Sequence, residues 1–138
     1  MIKTSWGRNR QNGVKAEGDL IKLLRERGIF SLSLSPNISG DIIIPLKNIV
    51  IEVKRVKKSK TFSFSHPNQI EQYKSLKEYV DNGMRVYYAI LFYDNIKDGT
   101  DVNKWRFFEY RDESYKMKLF DGKTFGYFVS LIVPSEKA

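Results

Sequence analysis

The sequence has no cysteine and only one histidine, His66. The absence of cysteine excludes disulfides, thiolate nucleophiles and thiolate metal sites, and a single histidine argues against a zinc site or a histidine-based catalytic triad. Any chemistry that this chain performs must therefore use carboxylates, lysines and hydroxyls.

Long apolar runs are also missing. No stretch approaches the roughly 20 apolar residues that a membrane span needs, and the basic start, MIKTSWGRNRQNG, is not followed by the apolar core of a secretory signal. There is no internal repeat and no long linker. We expect a cytoplasmic protein without a membrane partner, forming one domain over residues 1–138, with residues 1–12 as a flexible basic arm.

Acidic residues are scarce relative to basic ones. The chain has 24 Lys and Arg against 16 Asp and Glu, a formal net charge of +8. Such a surplus favours a polyanionic partner, with nucleic acid first and an anionic membrane surface second. The other interpretation is a solvated basic face that binds no ligand. Two clusters supply the candidate DNA-binding residues: Arg8, Arg10, Lys15, Arg55, Lys57, Lys58 and Lys60.

The order of predicted elements indicates a mixed α/β fold. Apolar residues at helical spacing predict a helix over about residues 14–27, ended by Gly28, and Pro67 begins a second helix that ends near Gly83. The segments SLSLS, DIIIP, NIVIEVK, RVYYAILFY and KWRFFEY read as strands. The tail from residue 115 to 133 has no clear class. We expect helices packed against one sheet.

Charged side chains interrupt two of the apolar strands. Within IVIEVK, Glu52 and Lys54 lie on one face of the strand, about 6.6 to 7 Å apart. The other face carries Ile49, Ile51 and Val53 and is fully apolar. Asp41 opens the preceding strand, and a short turn makes the two strands an antiparallel pair. The carboxylate of Asp41 can then approach Glu52.

Glu17 is an acid on the apolar stripe of the first helix, in line with Leu20, Ile21 and Leu24. It either joins the acids of the sheet or only complements the helix dipole in the first turn. With Asp41 and Glu52 it can form an oxygen-rich pocket beside Lys54. Mg²⁺ favours such a pocket, which uses one or two carboxylates, retained waters and phosphate oxygens.

Four segments in this order resemble a known family. GVKAEGDLIKLLRERGIF, IVIEVK, QIEQYKSLKEY and KWRFFEY are similar to successive elements of the PD-(D/E)xK nuclease superfamily. The similarity is closer to the archaeal-type Holliday junction resolvases, found in archaea and their viruses, and covers roughly residues 8–120. It implies a restriction-endonuclease-like fold and a homodimer that makes paired nicks in four-way DNA junctions with Mg²⁺ or Mn²⁺, located in the cytoplasm, or in the host cytoplasm if viral.

The resemblance also implies roles for single residues. Asp41 and Glu52 would hold the metal, Lys54 would assist the attacking water, and Glu17 would support the metal through water or directly. Gln69, on the second helix, would fix the lysine or a metal-bound water, or else cap the helix. The family places a serine before the aspartate. Leu34 occupies the expected position between two serines, of which we favour Ser35.

Three other functions stay open from the sequence alone. The chain could be a different PD-(D/E)xK endonuclease of the restriction or repair type, a non-catalytic DNA-binding module of the same fold, or a structural protein with incidental positive charge. Metal-dependent cleavage and its substrate preference separate the first two, and absence of junction binding at moderate salt would favour the third.

Overall fold

The computed structural model describes residues 5–62, 67–95, 97–111 and 117–133, and it describes residues 5–12 and 67–69 by their backbone alone. Its helices and longer strands follow the chain in this order: α1 (Ser5–Glu26), β1 (Leu32–Ser33), β2 (Ile42–Ile44), β3 (Ile49–Lys57), α2 (Pro67–Asp81), β4 (Arg85–Tyr93), β5 (Trp105–Glu109), β6 (Lys123–Thr124) and α3 (Phe125–Ile132). Short 3₁₀ turns occupy Pro45–Lys47, Asp98–Thr100, Val102–Lys104 and Leu119–Asp121.

The strands form one six-stranded mixed sheet in the order β1-β2-β3-β4-β5-β6. Only the central pair, β3 and β4, is parallel, and the other neighbours are antiparallel. A parallel pair requires a crossover connection, and α2 lies in the crossover between these two strands. Strand β4 is buried from Val86 to Phe92, as its continuous apolar sequence predicts.

Helices cover both faces of the sheet. Residues of α1 and α3, among them Leu20, Leu24 and Phe128, pack in one core cluster with Ile49 and Ile51 of β3. On the other face, α2 packs against residues such as Val50 and Tyr88. The predicted α/β architecture, with helices against a mixed sheet, is therefore confirmed. Across the described ranges, no helix combines the length and apolar character of a membrane span.

Several element boundaries differ from the sequence-based predictions. Helix α1 begins at Ser5, so the backbone of residues 5–12 is helical where we predicted a flexible basic arm. That segment contains no proline, and its Arg and Gln residues are good helix formers. Of the predicted strand SLSLS, only Leu32–Ser33 pairs, because the chain turns at Pro36 and Asn37. The unclassified tail contains α3, whose Phe128 stacks on Phe107 of β5 at 4.1 Å between ring centroids.

The strands that carry the acids pair as predicted. Strands β2 and β3 are antiparallel, with Ile42 opposite Ile51 and a 3₁₀ turn over Pro45–Lys47 between them. Asn48 takes a left-handed conformation at the end of this turn, with φ of 53°. The connection therefore places Asp41, the residue before β2, beside the middle of β3.

Candidate active site

Asp41 is fixed to β3 through both its backbone and its side chain. Its N–H donates to the carbonyl of Ile51 at 3.0 Å, and its Oδ2 accepts the N–H of Val53 at 2.7 Å. The carboxylate thus extends the hydrogen-bond ladder beyond the end of β2. This arrangement orients Asp41 toward Glu52, the residue of β3 that lies between Ile51 and Val53.

The loop before Asp41 is held against both the sheet and α2. Gly40 has φ of +90°, and a Cβ there would lie 2.6 Å from Cγ1 of Val50, so only glycine fits without strain. Tyr79 of α2 donates its hydroxyl hydrogen to the carbonyl of Ser39 at 2.6 Å. These contacts set the direction from which Asp41 enters the site.

Glu52 is the most deeply buried acid of the site. Its relative exposure is 4%, and its carboxyl group lies close enough to that of Asp41 for each to affect the pKa of the other. Burial, followed by the charge of Asp41, raises the pKa of Glu52 to about 8, although the nearby Lys54 lowers it. Burial also raises the pKa of Asp41. The two acids therefore hold a proton between them near neutral pH.

Lys54 lies between the acid pair and α2. Its Nζ is 3.5 Å from Oε1 of Glu52 and donates to Oε1 of Gln72 at 2.6 Å. The side chain of Lys54 is mostly buried, with 18% of it exposed. Two acceptors on different elements thus restrict its position.

Glu17 reaches the same region from α1. Its carboxylate accepts the hydroxyl hydrogen of Ser33, a residue of β1. Partial burial raises the pKa of Glu17, the bond from Ser33 lowers it, and the charge of Asp41 raises it further. The stripe that carries Glu17 therefore does aim this acid at the sheet, rather than leaving it as a solvated residue of the helix.

A cleft of about 430 Å³ brings these groups together. Glu17, Ser33, Asp41, Glu52 and Gln72 line it, along with the loop that joins β1 to β2. A larger cleft of about 700 Å³ lies against β4, β5 and α3, but its acids, Glu109 and Asp121, are interspersed with cations, among them Arg85 and Lys123. The smaller cleft contains the pair of acids, Asp41 and Glu52, and is the candidate active site.

The donor set of this cleft suits a hard divalent ion. Asp41 and Glu52 supply adjacent carboxylate oxygens whose raised pKa values favour the binding of a proton, and a cation can replace a proton between two acids. Among the described residues, no group of three or more histidine, aspartate or glutamate side chains is placed to hold a metal. Asp41 and Glu52 would be the carboxylate ligands, and one or two carboxylates are common for Mg²⁺ sites that retain waters and bind phosphate oxygens.

The predictions for Gln69 and Ser35 have separate outcomes. The side chain of Gln69 lies outside the described residues, and among the described side chains Gln72, which the sequence analysis missed, contacts Lys54. Gln72 stands one helical turn along α2, so a face plot of the helix could have suggested it. The serine that contacts Glu17 is Ser33, whereas Ser35 lies beyond the strand and its Oγ accepts the N–H of Asn37 at 3.4 Å.

The candidate DNA-binding residues lie on two elements. The side chains of Arg8 and Arg10 are outside the described part of the structure, and Lys15 on α1 pairs with Asp19 at 2.9 Å. The second cluster comes at the end of β3 and just after it, where Lys57, Lys58 and Lys60 are exposed. Arg55 instead stacks its guanidinium group over the ring of Tyr93 at 4.3 Å.

Comparisons with known proteins found matches among solved structures. The sequence matches no family model, and no curated protein matches it. Among solved structures, the chain is similar to Hjc of Archaeoglobus fulgidus, described as a Holliday junction resolvase from an archaeal hyperthermophile. The two share 20% sequence identity over 86% of this chain and 95% of that one, with a TM-score of 0.62. At this identity the likeness shows a shared fold, a mixed α/β sheet with flanking helices.

Proposed function

We propose that this chain is a divalent-metal-dependent endonuclease of the PD-(D/E)xK type that resolves Holliday junctions. The observation that carries the proposal is that Asp41 and Glu52 line one cleft and that the ammonium group of Lys54 lies 3.5 Å from the carboxylate of Glu52. The fold shared with a Holliday junction resolvase supports junction DNA as the substrate.

Asp41 and Glu52 would hold Mg²⁺, or Mn²⁺ in its place. A bound divalent ion supplies Lewis-acid activation of the scissile phosphate and lowers the pKa of a bound water. Asp41 contributes a carboxylate whose orientation is fixed by the N–H of Val53. Glu52 contributes one whose proton is readily lost when positive charge arrives, since burial and Asp41 keep that proton bound in its absence.

Lys54 would place positive charge beside the attacking water and the phosphorane-like transition state. Its ammonium group needs a fixed position for this role, because a flexible lysine loses its advantage in orientation. Gln72 supplies that restraint through its carbonyl oxygen at 2.6 Å. Gln69 remains a proposed partner of the same lysine or of a bound water.

Glu17 would act from the edge of the site, with Ser33 holding its carboxylate in place. Because Ser33 already donates to it, Glu17 is better suited to support a metal-bound water than to replace one of the two direct ligands. Ser35, on the adjoining turn, lines the same cleft and stays a candidate for contact with the substrate backbone.

The basic residues would bind the phosphate backbone on either side of the cleft. Lys57, Lys58 and Lys60 follow the strand that carries Glu52 and Lys54, so backbone held there continues from the scissile phosphate. Arg8, Arg10, Lys15 and Arg55 are proposed contacts on the other elements. Paired nicks in strands of like polarity require two such sites, which we attribute to a homodimer.

A cleavage assay on a synthetic four-way junction tests this function. Wild-type protein with Mg²⁺ should introduce paired symmetric nicks and spare a linear duplex, and EDTA should stop cleavage. Glu52→Gln and Asp41→Asn should abolish cleavage, by at least about 100-fold in rate, while leaving junction binding intact. Glu78→Gln removes an exposed carboxylate of α2 and is the control.

The same assay separates the competing functions. Cleavage of linear duplex as readily as of the junction would replace the resolvase with a restriction or repair nuclease of the same superfamily. Binding without metal-dependent cleavage would indicate a non-catalytic DNA-binding module. Sedimentation equilibrium tests the homodimer, and a monomer under cleavage conditions would contradict it.

A further inference from the structure

Phe120 is an apolar side chain held almost entirely in solvent. It is 94% exposed and stands in the middle of the 3₁₀ turn Leu119–Asp121. Single exposed apolar residues are common and need no explanation. The residue becomes informative because of how its turn is fixed and what surrounds it.

The turn that presents Phe120 is tied to the core on its N-terminal side. Met117 is fully buried and forms an isolated bridge with Phe62, with N–H···O distances of 2.9 and 3.0 Å. Leu119 packs against the core cluster on the α2 face of the sheet. The N–H of Asp121 closes the turn on the carbonyl of Lys118 at 3.0 Å. Phe120 is therefore projected outward from an anchored turn.

The surroundings of Phe120 are basic. It borders a shallow cleft of about 480 Å³ that is also lined by Lys57, Lys58 and Tyr93. The N–H of Lys58 donates to the carbonyl of Tyr93 at 2.9 Å, which ties the basic segment to the end of β4. One acid, Asp94, lines the cleft, and its carboxylate lies 2.7 Å from the ammonium group of Lys104 and 4.0 Å from that of Lys58.

An exposed aromatic ring beside lysines has the chemical groups that bind an unpaired nucleotide. Lysines contact the phosphate, and the ring stacks on the face of the base. A linear duplex hides its base faces, whereas a branch point can expose them. The rival occupant is a second copy of this chain, but a two-fold interface would bring the same basic patch against itself, and the charges of Lys57 and Lys58 would repel.

The distance of this cleft from the acid pair fits a continuous strand of DNA. Lys57 follows Lys54 by three residues on β3, about 10 Å at the rise of a strand. A DNA strand whose scissile phosphate lies at Lys54 would therefore reach this cleft within a few nucleotides.

We propose that Phe120, Lys57 and Lys58 form a subsite that stacks an unpaired base of branched DNA, a few nucleotides from the scissile phosphate. This inference rests on the proposed function and adds to it a residue that distinguishes branched from linear DNA. It assigns the distinction to base stacking rather than to the charge of the surface.

Binding measurements in EDTA test the subsite without any need for cleavage. The probes are a synthetic four-way junction with 2-aminopurine beside the branch point, and a linear duplex of the same sequence. Phe120→Ala should weaken junction binding about tenfold and leave duplex binding unchanged. Phe120→Trp should restore junction binding and quench 2-aminopurine by stacking. Leu46→Ala is the matched control, since Leu46 is 81% exposed in the middle of another 3₁₀ turn.

Each other outcome overturns the proposal. Equal junction affinity of wild type and Phe120→Ala would remove the subsite while leaving the nuclease function standing. Equal weakening on junction and duplex would make Phe120 a general DNA contact. A shift of Phe120→Ala to a smaller species in sedimentation equilibrium would assign the residue to a protein interface. Failure of wild type to prefer the junction would overturn the subsite and the resolvase together.

Discussion

Glu52 should reduce the stability of the folded protein at neutral pH, and Glu52→Gln should remove this effect. The side chain is 4% exposed, and its pKa is raised from 4.5 to about 8, first by burial and then by the charge of Asp41. In the unfolded chain the same carboxyl group ionises near its ordinary pKa. Folding is therefore linked to proton uptake at this residue.

The sign and size of the effect follow from this pKa. Between pH 4.5 and about 8 the folded state keeps a proton that the unfolded state has lost, so the free energy of unfolding falls as pH rises. Each pH unit in that window contributes about 1.4 kcal/mol, which gives about 3 kcal/mol between pH 4.5 and neutrality. Glutamine has nearly the same shape and does not ionise, so the variant should lack this decline.

Urea unfolding in EDTA at a series of pH values measures the difference. The free energy of unfolding of Glu52→Gln minus that of wild type should grow with pH by about 3 kcal/mol from acid to neutral conditions and level off above about pH 8. Glu78→Gln controls for the loss of one negative charge at the surface. If the wild-type and Glu52→Gln profiles ran parallel, the reasoning that burial raises this pKa would be refuted.

Three further variants test how the site is held. Gly40→Ala should lower the free energy of unfolding by about 2 kcal/mol in urea, because a positive φ and a close Val50 both oppose a Cβ there. Gln72→Leu should reduce the cleavage rate about tenfold without weakening junction binding, and Gln72→Glu should partly restore it by again fixing the ammonium group of Lys54. Ser33→Ala should impair cleavage more than Ser35→Ala in a side-by-side junction assay, because only Ser33 donates to Glu17.

The central strands and their acids could be predicted because local pattern and tertiary packing agree there. The apolar residues of β3 and β4 alternate or run continuously in ways that only a buried sheet explains, and period two fixes which side chains share a face. The short connection between β2 and β3 then forces an antiparallel pair. The proximity of Asp41 and Glu52 follows from these constraints without any further information.

The other details depend on contacts that are remote in sequence. Helix α3 is rich in residues that favour strands, such as Phe125 and Val129, yet it is helical because its apolar face packs on β5 and Thr124 caps its first turn. The contact of Gln72 with Lys54 depends on how α2 lies against β3. Ser33 rather than Ser35 donates to Glu17 because the pairing of β1 ends at Ser33. In the sequence, Pro36 indicates only that the strand ends somewhere before it.

The charges of Asp41, Glu52 and Lys54 explain why two acids and one lysine can occur together in this site. When all three groups ionise, Asp41 and Glu52 outweigh Lys54 by one negative charge, and burial makes this state unfavourable, which is why the acids retain a proton. In the proposed complex, a divalent cation would reverse the sign to one positive charge, and a phosphodiester anion would then restore neutrality. Metal and DNA would therefore each reduce the electrostatic cost of binding the other, and the buried acids would favour the complete complex over either partial one.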